Sequence, residues 1–249
     1  MSGPRPGRAA AAVVAVLAGV LLAGCGAIPD LPDDVPPADS LVPSVAPRDD
    51  LSAVQDLTPD GSDAVRRMAL RVRNVQCSGL ATGSGFAIDA HTLITNRHVV
   101  EGAKSLQLLT YDGRDVTVEQ ATSAGLADLA ILRTTEELPA HPELASADPR
   151  EGDEVTVVGY PEGGALTVTQ GTVIGTTQDP LHSTLGEVLI TNAKVEPGSS
   201  GSAALDASGR VIGVVYAKTG DGRSLLVPVS TLRSMLDDTG AFAPVAPCS

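Results

Sequence analysis

The residues best suited to covalent chemistry in this chain are a serine, a histidine and an aspartate. Ser200 lies in EPGSSGSAAL, where small residues and two glycines leave its hydroxyl room to react. A serine hydroxyl is a weak nucleophile by itself, so it needs a base to take its proton and a third group to orient that base. His98, in TNRHVV just after the apolar run TLIT, offers an imidazole that can accept and return a proton near neutral pH. Asp128, opening the apolar run of ADLAIL, offers a carboxylate that would fix the imidazole tautomer and stabilise the imidazolium. The three occur in the order His, Asp, Ser, 30 and then 72 residues apart. Other hydrolase architectures place the same residue types in different chain orders. The chemistry implied is acyl transfer through an ester on Ser200. His91, His141 and His182 lack the TN-x-H setting and read as structural or surface histidines.

Five segments in sequence order carry a family resemblance: GSGF at 83–86, TNRHVV at 95–100, DLAIL at 128–132, VVGYP at 157–161 and PGSSGS at 197–202. Over about residues 64 to 248 the chain resembles the trypsin-like, chymotrypsin-fold serine proteases of bacterial envelopes. Within them it is most similar to the Deg/HtrA-like enzymes and to the actinobacterial periplasmic acid-resistance protease. The resemblance implies a catalytic triad of His98, Asp128 and Ser200. It selects Ser200 because the nucleophile follows Gly-x and precedes Gly, leaving Ser199 and Ser202 as flanking residues. It also implies an oxyanion hole built from the amides of Gly198 and Ser200. Ser202 stands where a second glycine is usual and Ala203 where proline is frequent, although the glutamyl endopeptidase branch also carries a serine at the first of these. For substrate binding it points to Lys194, six positions before Ser200, as a cation at the base of the specificity pocket or simply a surface lysine. Val215, Tyr216 and Ala217 are expected on the strand against which an extended substrate pairs, with Tyr216 half closing the pocket.

Composition narrows the remaining choices. Aromatic residues make up 2% of the chain and tryptophan is absent, so the core must come from Val, Leu, Ile and Ala. A net charge of −13 argues against nucleic acid, whose phosphates need Lys and Arg, and against a polybasic hold on anionic lipid. No CxxC or HExxH spacing suggests a metal, and no glycine-rich loop joins a strand to a helix as a nucleotide site demands, so no cofactor is expected. At the N-terminus Arg5 and Arg8 precede an apolar run from Ala9 to Ala23 that is too short to span a bilayer and reads as a signal peptide over 1–24. It ends in LAGC, which resembles a bacterial lipobox, so Cys25 is the expected lipidation site. Acylation would hold the protein on the extracytoplasmic face of the membrane, since each buried methylene contributes about 0.8 kcal/mol. Residues 25–63 are rich in proline and lack hydrophobic periodicity, which makes them a tether. In an oxidising compartment the two remaining thiols, Cys77 and Cys248, allow one pairing, a disulfide.

The elements that position these residues must lie beyond Asp63. From residue 64 onward, short β-branched runs alternate with Gly, Asp and Asn turns, which predicts an all-β domain over 64–249. The expected strands are 69–75, 84–89, 92–95, 105–109, 115–124, 129–133, 154–159, 166–177, 188–191, 203–205 and 211–218. A short C-terminal helix is expected from about Thr231 to Leu236, capped by Ser230. The family fold implied is a double six-stranded β-barrel, with His98 and Asp128 from the first barrel facing Ser200 from the second. The residues after the helix are too few for the peptide-binding PDZ domain that many Deg/HtrA-like enzymes carry. The expected activity is that of a lipid-anchored serine endopeptidase of the cell envelope acting on peptide or protein substrates. The alternative is a weak or inactive homologue that binds peptides or an envelope partner in the same cleft.

Overall fold

The computed structural model describes residues 64–181, 185–238 and 240–248. Residues 1–63, Cys25 among them, and His182 lie outside the described residues.

After the single turn α1 (Ala64–Arg67) the chain enters a sequence of short strands. The first group comprises β1 (Ala69–Gln76), β2 (Leu80–Asp89), β3 (Thr92–Asn96), the turn α2 (Arg97–Val100), β4 (Ala103–Leu109), β5 (Asp115–Val116), β6 (Val118–Ala124) and β7 (Leu129–Thr134). The second comprises β8 (Glu154–Gly159), β9 (Thr167–Gln178), β10 (Glu187–Thr191), β11 (Ala203–Leu205), β12 (Val211–Lys218) and β13 (Ser224–Pro228). A helix, α3 (Val229–Asp237), and a short strand, β14 (Ala243–Pro244), follow.

The second group closes into a six-stranded barrel in the order β10-β13-β12-β11-β8-β9. The first forms an eight-stranded sheet, β14-β6-β7-β3-β2-β1-β4-β5, in which β14 comes from the far end of the domain. The domain is thus mostly β with one short C-terminal helix, a closed barrel beside a half-barrel sheet. The single strand expected over 115–124 is interrupted at Thr117, whose amide leaves the ladder to donate to the Glu136 carboxylate at 2.7 Å.

The period of two explains how such a core is built without tryptophan. On β11, Ala204 faces the barrel interior with Val155, Val157 and Leu226, while Ala203 and Leu205 face the other way, toward Phe86, Ile94 and Leu129 of the first sheet. Leu225 and Val227 on β13 follow the same rule around Leu226. Strands buried on both faces read as unbroken apolar runs, which is why SLLVP carries no alternating signature. Phe86, Leu70, Leu93 and Leu132 are completely buried in the first sheet. Each such side chain contributes about 1.5–3 kcal/mol of burial.

The helix begins earlier than expected, at Val229, with Pro228 at its N-cap position and no side-chain cap of its own. Ser230 is therefore the second helical residue rather than the cap. Asp148 takes the capping role from 82 residues away: its carboxylate accepts from the Ser230 amide at 2.9 Å and from the Ser230 hydroxyl at 2.6 Å. At the other side of the fold β14 pairs with β6, Ala243 facing Ser123, and the Val245 amide continues the contact to the Ala121 carbonyl. Three residues later Cys248 is joined to Cys77, with Cα atoms 5.9 Å apart.

Candidate active site

Strand pairing brings the first two residues of the site together. β3 and β7 are antiparallel with Asn96 opposite Leu129, so the residues just beyond these ends, His98 and Asp128, become neighbours. Asp128 adopts φ 49°, a left-handed conformation that aspartate tolerates better than most residues. All three oxygens of Asp128 are used. The Asp128 carbonyl accepts from the Arg97 amide at 3.0 Å and from Asn96 Nδ2 at 2.9 Å. Its Oδ1 accepts from the His98 amide at 3.1 Å and its Oδ2 lies 2.7 Å from His98 Nδ1. A carboxylate only accepts, so Nδ1 carries the proton and Nε2 keeps its lone pair. The carboxylate is almost wholly buried while the imidazole side chain is 46% exposed, which leaves Nε2 on the open side.

Ser200 stands on a loop that the first sheet grips from below. The Ser84 amide donates to the Ser200 carbonyl at 2.8 Å, and the Ser84 hydroxyl donates to the Gly198 carbonyl at 2.8 Å while accepting from the Tyr160 amide at 2.8 Å. Thr95 Oγ1 holds the Ser84 carbonyl at 2.7 Å. Such close approach explains two glycines. A Cβ on Gly201, at φ +86°, would lie 2.1 Å from the Ser84 carbonyl oxygen, and one on Gly198, at φ +92°, would lie 2.6 Å from the Glu162 nitrogen.

The direction of the Gly198 amide follows from the planarity of one peptide. The Glu162 amide donates to the Pro197 carbonyl, and in a trans peptide the N–H points opposite to the C=O. The Gly198 N–H is therefore turned away from Glu162. Glu162 makes this contact from φ 56°, ψ 17°, an uncommon conformation for a residue with a side chain. Among the described residues the amides of Gly198 and Ser200 donate to no protein acceptor, whereas those of Ser199, Gly201 and Ser202 are all bonded. Two free donors beside a serine hydroxyl can stabilise an anionic oxygen.

The Ser200 hydroxyl itself bonds to the Tyr216 carbonyl at 3.5 Å, not to His98. Tyr216 sits at a register shift where β12 carries one residue more than β13, which turns its carbonyl out of the ladder. Its ring is buried in the core rather than set across a pocket, and its hydroxyl donates to Asp179 at 2.7 Å. Burial, that hydrogen bond and the charges of Asp179 and Asp128 hold the phenol well above its ordinary value, so it remains a neutral donor. Burial likewise pushes the Tyr160 phenol up to about 12, against the opposing pull of the Arg71 guanidinium, which lies 5.0 Å from the ring centroid.

A cavity of about 360 Å³ opens beside Ser200, with Val195, Pro197, Val215 and Ala217 among its walls. Lys194, expected at its base, is not among its lining residues. The lysine instead lines a separate cavity of about 120 Å³ behind Ser199, together with Thr169 and Ser202, whose buried hydroxyls have no protein partner. Spacing along the chain places Lys194 close to Ser200, but a turn centred on Pro197 and Gly198 intervenes, and Lys194 lines the other cavity. Val215 and Ala217 do line the cavity beside Ser200, and Tyr216 reaches the site through its backbone alone.

Residues 83–214 match the model of the trypsin-like peptidase domain. The chain belongs to this family. Among curated trypsin-like relatives, the serine protease Do-like HtrA of Bacillus subtilis is 35% identical over 161 residues, which are 59% of this chain and 35% of that protein. The serine endoprotease DegS of Escherichia coli is 32% identical over 209 residues, 76% of this chain and 58% of DegS. The chain thus spans between about a third and three-fifths of the length of these relatives. Among solved trypsin-like structures, the active form of the Rv3671c protease from M. tuberculosis superimposes with a TM-score of 0.67 at 26% identity, covering 75% of this chain and 86% of that one.

Sequence reasoning misses the residues of this trypsin-like domain that hold the backbone around the site: Ser84 and Glu162, which grip the Ser200 loop, and Asn96, which grips the Asp128 turn. Ser84 and Asn96 lie inside the GSGF and TNRH segments, so the local signal is present but does not reveal which carbonyls they reach. Glu162 carries no signal beyond the neighbouring Gly163 and Gly164.

Proposed function

We propose that this chain is a serine endopeptidase that hydrolyses peptide bonds through an acyl-enzyme on Ser200. The observation that carries the reading is the bond from His98 Nδ1 to the buried Asp128 carboxylate, and the two amides at Gly198 and Ser200 that donate to no protein acceptor support it. Ser200 Oγ adds to the scissile carbonyl as His98 Nε2 takes its proton, and the amides of Gly198 and Ser200 receive the oxyanion. His98, now an imidazolium beside Asp128, returns the proton to the leaving amine. Water then adds to the ester carbonyl as His98 takes its proton, and His98 returns that proton to Ser200 Oγ as the acid leaves, which restores the starting state. The hydroxyl must rotate away from the Tyr216 carbonyl for the first step, a single side-chain rotation.

The test is labelling with a fluorophosphonate, which reacts only with an activated serine. Labelling of the wild type that disappears in Ser200→Ala and falls steeply in His98→Ala is the expected result. That the Ser200 hydroxyl rests on Tyr216 rather than His98 favours a second reading, a cleft that binds peptides without cutting them. Persistent absence of labelling in folded protein, with retained peptide binding, would select it.

We further place the protein in the cell envelope, held on the extracytoplasmic face by lipid on Cys25, with residues 25–63 as tether and 64–249 as the peptidase domain. The LAGC segment supports this, and no helix among the described residues is long and apolar enough to cross a membrane. Metabolic labelling with a palmitate analogue tests it, with Cys25→Ala expected to lose both the label and the membrane fraction.

A further inference from the structure

The cavity beside Ser200 contains two ionisable side chains, and they neutralise each other. Glu196 belongs to the loop that leads into Ser200, and Lys218 ends β12 on the facing wall. Lys218 Nζ donates to Glu196 Oε2 at 2.7 Å. Both backbones are fixed: the Glu196 amide and carbonyl bond to the hydroxyl and amide of Ser199, and Lys218 is paired with Ser224 of β13. The ion pair therefore joins one wall of the cavity to the other. Of the remaining lining residues Val195, Pro197, Val215 and Ala217 are apolar, while Ser199, Ser200 and Thr219 are polar but carry no charge.

We infer that the Glu196–Lys218 ion pair sets the charge selectivity of the pocket that receives the side chain before the scissile bond. The inference rests on reading this cleft as a peptidase site. With the pair intact the pocket has no net charge. An uncharged side chain enters against the apolar walls, while an acidic or basic one must compete with a partner already at hydrogen-bond distance. Each charge is a recognition element held in check by the other. Removing Glu196 exposes a cation that recruits carboxylates, and removing Lys218 exposes an anion that recruits lysine or arginine. The cation that the sequence suggests at Lys194 is thus supplied by Lys218, and it is cancelled.

The experiment uses three peptidyl aryl phosphonates that differ only in the side chain preceding the reactive phosphorus, an analogue of valine, glutamate or lysine. Second-order inactivation rates are measured for wild type, Glu196→Gln, Lys218→Gln and the exchanged pair Glu196→Lys/Lys218→Glu. The wild type is expected to prefer the valine analogue. Both side chains are partly exposed, 38% for Lys218 and 54% for Glu196, so Glu196→Gln should raise the glutamate-to-valine rate ratio about three- to fivefold, and Lys218→Gln the lysine-to-valine ratio comparably, the scale on which solvent-screened charges interact. The exchanged pair should restore the wild-type ranking, which a general loosening of the loop would not do. Ratios within about twofold of wild type in both single variants overturn the inference, as does a wild type that prefers a charged analogue. A peptide-free fluorophosphonate run in parallel separates the two failures: if it does not label the wild type, the peptidase reading itself falls.

Discussion

Replacing Ser84 by alanine asks whether the loop carrying Ser200 is held in its working shape from the first sheet. Two hydrogen bonds of 2.8 Å disappear, one to the Gly198 carbonyl and one from the Tyr160 amide. Ser84 is completely buried and Tyr160 is 2% exposed, so the Tyr160 amide finds no water in exchange. A buried polar group left without a partner costs about 1–3 kcal/mol, and the Gly198 carbonyl, only partly buried, recovers some of its share. The expected loss of stability is therefore about 2–4 kcal/mol. The bonds from the Ser84 amide to Ser200 and from Thr95 to the Ser84 carbonyl use backbone atoms of residue 84 and persist, so the loop stays attached but less constrained. Its consequence for rate is bounded by the loss of one oxyanion donor, about 10²–10³ in kcat, and a fall of at least about tenfold is expected. KM should stay within about threefold, because Ser84 does not line the cavity beside Ser200. Urea unfolding gives the first quantity, and initial rates on a peptide anilide give the others. A variant that loses about 2 kcal/mol or more yet keeps kcat within twofold of wild type would show that Ser84 only stabilises the fold and that the Ser200 loop keeps its working shape without it.

Three further outcomes are expected. Asp128→Asn offers a single oxygen where Oδ1 and Oδ2 now serve the His98 amide and Nδ1 separately, and its NH₂ group would favour the wrong imidazole tautomer. Its kcat should fall by about 10⁴ with little change in thermal midpoint, and a fall below tenfold would contradict the assignment. Cys77→Ser removes a cross-link between residues 171 apart and should lower stability by about 2–4 kcal/mol in urea, a difference that vanishes once the wild type is reduced. Glu136 accepts from the Thr117 amide and from the hydroxyls of Thr135 and Thr117, which holds its carboxyl down at about 2. Because the folded value lies below the unfolded one, its stabilisation is present above the usual carboxylate range and is lost as pH falls through about 2. The difference in thermal midpoint between wild type and Glu136→Gln should accordingly shrink between about pH 5 and pH 2, and a gap independent of pH would refute it.

Most strands are legible in the chain because their signals are local. VTVVG and VIGVVYAK are apolar, β-branched and bounded by turn residues, and they become β8 and β12. β13 escapes because SLLVP is buried on both faces and ends in a proline that suggests a helix start. The helix boundary escapes for a different reason. Ser230 looks like a cap, but the group that satisfies the helix amide is Asp148, and nothing near residue 230 encodes it. The site divides in the same way. Motif segments suffice to single out His98, Asp128 and Ser200, whose types and order announce a chemistry. Ser84 and Glu162 act through backbone atoms of distant loops, so their roles exist only once the sheets have been assembled. Lys194 shows the limit of counting residues: six positions from Ser200 is near enough to touch the loop, but a turn lies between them and the lysine lines a different cavity.

The pairing of β14 with β6, followed by the Cys77–Cys248 link, bears on how the protein is made. The sheet that carries His98 and Asp128 begins at residue 69 and receives its last strand from residues 243–244, after the whole barrel has been laid down. A ribosome or an export channel delivers the chain from its N-terminal side, so the segment that carries the base and its aspartate waits for nearly the entire domain before its edge is covered. Until then β6 is an edge strand with unpaired backbone groups. Completion of the sheet that carries His98 and Asp128 is thereby tied to synthesis of residues 243–244, and a product truncated before them would carry an unfinished first sheet.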